Sequence, residues 1–292
     1  MNVVLELAGR NIRIYLRNRM SVFFSFLSVI IIIGLYALFL GKVQVDGIRG
    51  QVGDIRGIAP LVSSWIVAGL LAVNAVTVSL GALGAMVNDV EHKRFTDFVV
   101  APVSRAAVVA SYLVSALAIG LLFTFIALAA GELYIAASGG PVLGALAALH
   151  VAGILALAVV SSAAIMYLLV AFLKSSTAFG VLSTLLGTLI GFFTGVYVPL
   201  GILPAAVQRA VLFVPFSYTA AMLRQVFCEA PLGVVFQGAP PQASAAYMRM
   251  YGIRLFWNRT EITTPVMVLI LAGVTAVFLL LSALKLRSYK KG

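Results

Sequence analysis

Six stretches of this sequence run without a single charged side chain: 20–41, 57–88, 106–131, 133–173, 175–208 and 262–284. Each exceeds the ~20 apolar residues with which an α-helix crosses the hydrocarbon core of a bilayer. Among 292 residues 62% are hydrophobic and only 10% charged, and the mean hydropathy is +1.12, a balance foreign to water-soluble domains. The runs therefore predict an all-α integral membrane protein with six transmembrane helices, at 22–40, 60–86, 108–131, 142–172, 178–197 and 265–284. Together they form one transmembrane domain over 1–292. The first run is too long for the apolar core of a cleavable leader and no small-residue cleavage site follows it, so it is expected to stay as a helix.

The polar segments between the runs give the topology. Residues 1–19 mix Val3, Val4, Leu7, Ile12, Ile14 and Leu16 with Arg10, Arg13, Arg17 and Arg19, the pattern of an amphipathic helix lying at the membrane interface. Residues 41–57 carry both signs of charge and form an external link. The most charge-dense segment is cytoplasmic, at 88–105, with Asp89, Glu91, His92, Lys93, Arg94, Asp97 and Arg105. Ser138-Gly139-Gly140-Pro141 breaks helix three from helix four, and Lys174-Ser175-Ser176 is a short cytoplasmic turn. Pro199, Pro204 and Pro215 interrupt the apolar chain at 199–227, which predicts an external re-entrant segment packed against protein. An external loop at 228–264 precedes the last helix. Twelve of the twenty Lys and Arg fall on the side that holds both termini, and five of the other eight sit in the long region between helices five and six, which constrains orientation least. Both termini are therefore expected in the cytoplasm. The net charge of +11 flanks apolar spans instead of forming a patch on a polar domain, so it reads as topology and not as nucleic-acid binding.

Two segments carry a family resemblance. Residues 84–105, from Gly84-Ala85-Met86 through Glu91-His92-Lys93-Arg94-Phe95 to Pro102-Val103-Ser104-Arg105, resemble the loop after the second helix in permeases of type-2 ATP-binding cassette (ABC) exporters. Gly195-Val196-Tyr197-Val198-Pro199-Leu200, with Leu203-Pro204 and Pro215-Phe216-Ser217-Tyr218, resemble that family's external re-entrant stretch. The sequence departs from the family where His92-Lys93-Arg94 follow Glu91, and its external loop is long. The resemblance implies a coupling helix that docks Phe95, Phe98 and Val99 on a soluble ATPase, with Glu91, Lys93, Arg94 and Arg105 at the rim and Pro102 and Ser104 in the turn. It further implies two separate ABC ATPase subunits per complex, a second permease copy or paralogue, and a multi-pass place in the cytoplasmic (inner) membrane of a bacterium or archaeon. The bland alternative is a solvated loop whose charges only set topology.

The chain has no Gly-x-x-x-x-Gly-Lys-Ser/Thr loop, so ATP and Mg would be bound by the partner ATPase and no cofactor is expected here. With Cys228 as the only cysteine, neither a disulfide nor a cysteine metal site is expected, and the metal expectation is none. On helix five, Gly187, Gly191 and Gly195 recur every four residues after Gly180, a face that permits close helix contact. That contact would lie at a dimer interface, beside a translocation path, or within one subunit. Phe192, Phe193 and Tyr197 would line an apolar route or simply face lipid. Asn74, Thr77 and His150 read as interhelical hydrogen-bond partners, with a path-lining role as the alternative. Glu132 falls at a helix end, where a boundary carboxylate is expected before a proton relay. Asn258-Arg259-Thr260 matches a glycosylation sequon, a pattern common by chance. Drugs, antibiotics, lipids, peptides and ions all remain open as substrates. The competing readings are a secondary transporter driven by an ion gradient, and a membrane scaffold or enzyme. The first lacks midplane charge and matching halves, and the second lacks an acid/base or metal cluster.

Overall fold

The computed structural model describes residues 3–36, 38, 41–52, 57–94, 103–258 and 260–288. Among them, five helices are long and apolar enough to cross a bilayer alone, and two bent helix pairs qualify when each pair is taken together. The fold is all-α apart from one small hairpin.

The amphipathic helix α1 (Val3–Arg17) ends at Asn18, whose side-chain Oδ1 accepts the Ser21 N–H at 3.2 Å and so caps the apolar helix α2 (Arg19–Leu35). The two helices meet at 78°. The polar link holds a further helix, α3 (Gly41–Val52), which no apolar periodicity announces.

The bundle is organised around α4 (Ile58–Ala82), in which every residue is buried except Ala59, Pro60, Thr77 and Gly81. A helix apolar on all sides is stable only when surrounded, and α2, α6 (Arg105–Ala137), α7 (Ala145–Val170) and α10 (Pro215–Phe227) all pack on it. Two glycines of α6 let this happen. A Cβ on Gly131 would lie 2.5 Å from Val67 Cγ1 of α4, and one on Gly120 would lie 2.6 Å from Val159 Cγ1 of α7. The 33 residues of α6 reach about 50 Å at 1.5 Å per residue, beyond the apolar slab, so its ends stand in the interfaces.

Leu83 breaks the helix between α4 and α5 (Gly84–Glu91). At the opposite end of α4, a cap of short elements closes the bundle. Pro199 precedes a single 3₁₀ turn (Leu200–Ile202), Pro204 precedes α9 (Ala205–Val211), and Pro215 is the first residue of α10. All three prolines thus start helices, where a missing N–H costs nothing, and α9 meets α10 at 89°. Residues 228–264 are structured, not an open loop: α11 (Glu229–Val235), α12 (Pro241–Met250) and the antiparallel strands β1 (Leu255–Trp257) and β2 (Thr260–Ile262). Asn258, at φ 55°, makes the tight turn between the strands. α8 (Ser176–Phe193) and α13 (Thr264–Ser288) complete the bundle.

Candidate functional site

At the α5 end of the bundle a buried carboxylate holds three helices together. Asp89 is 1% exposed. It accepts two hydrogen bonds from the Arg10 guanidinium of α1, at 2.8 and 3.2 Å, and one from the Tyr112 hydroxyl of α6, at 2.7 Å. Arg94 approaches the other side of the same carboxylate at 3.7 Å. The Asp89 hydrogen bond raises the Arg10 pKa further above its ordinary value. Beside it, Asn11 is buried and reaches Ser111 at 3.5 Å. Two residues beyond Asp89, the Glu91 carboxylate accepts the Ser176 backbone N–H at 3.2 Å and the Ser176 hydroxyl, which ties α5 to the first turn of α8. Residues 88–94 are therefore fixed to α1, α6 and α8 before the chain enters 95–102.

Other residues expected in the coupling segment have distinct places. Lys93 sits in a left-handed turn at φ 57°. Ser104 caps α6, its Oγ accepting the Ala107 N–H at 3.2 Å, and Arg105 opens that helix. Phe95, Phe98 and Pro102 lie outside the described residues. The sequence reading did not single out Arg10 or Tyr112, and it took Asp89 only as one charge in a polar loop. The available signal was register: Asp89 lies three residues after Met86 and seven after Ala82, both buried, so it continues the inward face of the helix.

Among the described residues, no glycine of α8 closely approaches another helix. A Cβ on Gly180 or Gly187 would meet nothing within 4 Å, while one on Gly191 would strike the Tyr197 ring. Only Ile190 and Gly191 of α8 are buried. Phe192 stands edge-on to Tyr197 at 5.3 Å, and both are well exposed. Among the described residues the Thr77 hydroxyl bonds the Val73 and Asn74 carbonyls of its own helix, at 3.1 and 3.3 Å. Asn74 is buried, and its Oδ1 has no partner among the described residues. Glu132 accepts the Leu143 N–H at 3.0 Å across the α6–α7 turn, the work of a boundary carboxylate.

The opposite end is closed around Arg224 of α10, which is fully buried. Its guanidinium donates to the Gly195 carbonyl at 3.1 Å and stacks over Trp65 of α4 at 4.6 Å, while Nε and Nη1 have no partner among the described residues. Gly195, at φ 68°, turns the chain out of α8 toward this point, and a Cβ on Gly69 would lie 2.9 Å from Nη2. Trp65 Nε1 in turn donates to the Tyr251 carbonyl at 2.7 Å, and Tyr36 donates to the Val196 carbonyl. The cap is thus pinned to α4 by polar groups inside an apolar bundle. Among the described residues no group of three or more His, Cys, Asp or Glu is placed to hold a metal ion.

The family model described as ABC-2 type transporter matches residues 2–228. Comparison with curated proteins gives no match.

Proposed function

This chain belongs to the ABC-2 type transporter family, as a multi-pass membrane permease, and from that premise we propose that it is the membrane half of an ATP-driven exporter. In this reading two separate ATPase subunits bind the cytoplasmic face around residues 88–105, bind ATP and Mg themselves, and drive outward movement of a substrate through a pair of permease chains in the cytoplasmic (inner) membrane. Both termini lie in the cytoplasm.

The observation that carries the proposal is the anchoring of residues 88–94. A lever transmits force only if its base is rigid, and here Asp89 and Glu91 join the base to α1, α6 and α8 through charge-assisted hydrogen bonds. A displacement imposed on 95–102 would therefore reach an interface helix and two spans at once. Topology alone, which needs only charges on the cytoplasmic side, gives no reason for a carboxylate to be buried there. The exposed α8 face, free of neighbours at Gly180 and Gly187, supports pairing with a second permease chain through close helix approach.

The test is a mild-detergent purification of the tagged chain from its native membrane. Recovery of a soluble ATPase whose retention falls when Phe95 and Phe98 are changed to Ala supports the coupling assignment. Recovery of the chain alone, together with substrate movement driven by an ion gradient, would replace it with the secondary-transporter reading.

A further inference from the structure

On the cap side of the bundle a cavity of about 1160 Å³ opens between α7, α10, α11, α12 and the start of α13. Sites that enclose drug-sized ligands measure about 300–1,000 Å³, so this one is large enough for such a molecule. It has a polar end and an apolar end. The inner end is walled by Ile154 and Leu157 of α7, Met222 of α10 and Val268 of α13. The outer end is walled by Arg254, Glu261, Thr263 and Thr264. From Leu149 to Leu157, both on the wall, α7 advances about 12 Å at 1.5 Å per residue, roughly the depth of one leaflet's outer acyl region.

The charges at the polar end do not cancel. Arg254 donates to Glu261 at 3.3 Å, which leaves that pair neutral. Gln225 is engaged on both sides, donating to the Ile253 carbonyl at 3.0 Å and accepting from Thr264 at 2.6 Å. Glu229, the remaining carboxylate on the wall, has no hydrogen-bond or ion-pair partner among the described residues. The other titratable wall residue is His150. In a chain that carries eleven net positive charges, this cavity presents one carboxylate without an ion-pair partner among the described residues, beside an apolar wall.

We infer that the cavity binds a cationic amphiphile entering from the outer leaflet, with its hydrocarbon body along α7 and α10 and its cationic head at Glu229. An anionic head would meet the like charge of Glu229, and a neutral one would leave the carboxylate without a counter-charge. The inference rests on the membrane-permease reading only for placing the cavity in the outer leaflet. Binding is read on the permease alone, so its failure leaves ATP coupling untouched.

Two glycines make a test that does not depend on damaging the fold. Gly153 and Gly233 line the cavity, and a Cβ on either meets nothing within 4 Å, so each position has room for a side chain to begin, and thermal unfolding of the leucine variants reports any displacement of neighbours. The full chain, in phosphatidylcholine nanodiscs, is dialysed to equilibrium against radiolabelled dodecyltrimethylammonium, with empty nanodiscs subtracted. Dodecyl sulfate and dodecyl maltoside serve as anionic and neutral competitors. The expected result is saturable binding that neither competitor displaces at equal concentration, a dissociation constant raised about tenfold by Glu229→Gln, and loss of binding in Gly153→Leu and Gly233→Leu with thermal unfolding unchanged. Equal displacement by dodecyl sulfate, affinity unaffected by Glu229→Gln, or binding that persists in both leucine variants would overturn the assignment.

Discussion

Replacing Asp89 by Asn keeps the shape of the buried side chain and removes its charge. In the native arrangement the carboxylate receives three hydrogen bonds, two from Arg10 and one from Tyr112. An amide has one acceptor oxygen, and its NH₂ must face either a guanidinium or a hydroxyl. Removing one partner of a fully buried ion pair costs about 3–5 kcal/mol. The Asp89 side chain is 2% exposed but that of Arg10 is 31% exposed, so water relieves part of the loss and the cost falls to about 2–3 kcal/mol. A double-mutant cycle of Asp89→Asn with Arg10→Met isolates the pair. Unfolding is followed by circular dichroism in mixed micelles of increasing denaturing-detergent fraction, for the native chain, both single variants and the double variant. A coupling energy of about 2 kcal/mol is expected. A value below about 0.5 kcal/mol, typical of exposed pairs, would show that Asp89 does not clamp α1 to α5 and would remove the rigid base from the coupling argument.

Glu91→Lys and Arg105→Glu are expected to abolish ATP-dependent transport while leaving membrane insertion intact; full transport by both variants in vesicles containing the ATPase refutes the coupling role of 88–105. Gly131→Ala places a methyl group 2.5 Å from Val67 Cγ1 and is expected to cost about 1–3 kcal/mol of stability in the same detergent titration. Gly187→Leu, at a position where a Cβ meets nothing within 4 Å among the described residues, is expected to leave that stability unchanged but to weaken association between permease chains, measured by single-molecule photobleaching in liposomes. Ser104→Ala removes the α6 cap and is expected to cost about 1 kcal/mol, with amide exchange accelerated over the first turn of α6.

The spans were legible because a bilayer imposes a length and a polarity that single residues betray. Even so, α6 runs from Arg105 to Ala137, well past the uncharged stretch, since Glu132 and Leu133 continue the helix at an interface where charge is tolerated. The elements that escaped, α3, α11 and α12, are short and mixed in polarity, and their helicity depends on neighbours instead of on pattern. Glycine was legible as a residue type but not by position. The regular spacing on α8 drew attention, whereas close approaches of one long helix to another occur at the isolated glycines 120 and 131. What decides the matter is which residue of another helix stands opposite, and a single helix does not carry that information. The Arg10–Asp89 clamp was hidden for the same reason, its partners being 79 residues apart. Arg224 was counted only as an external charge, while the fold encloses it completely.

That enclosed arginine bears on how the two faces of the bundle part. Where helices meet through leucine and valine alone, separating them in an aqueous compartment exposes hydrocarbon, and resistance grows with the area uncovered. Between α10 and α4, separation instead releases a guanidinium that has one carbonyl and one indole face for company. Each water molecule that enters gives Nε and Nη1 the partners they lack, and the hydration recovered offsets part of the apolar area lost. Water entering at this seam would therefore meet a hydration gain as well as an apolar cost, which a seam of leucine and valine does not offer.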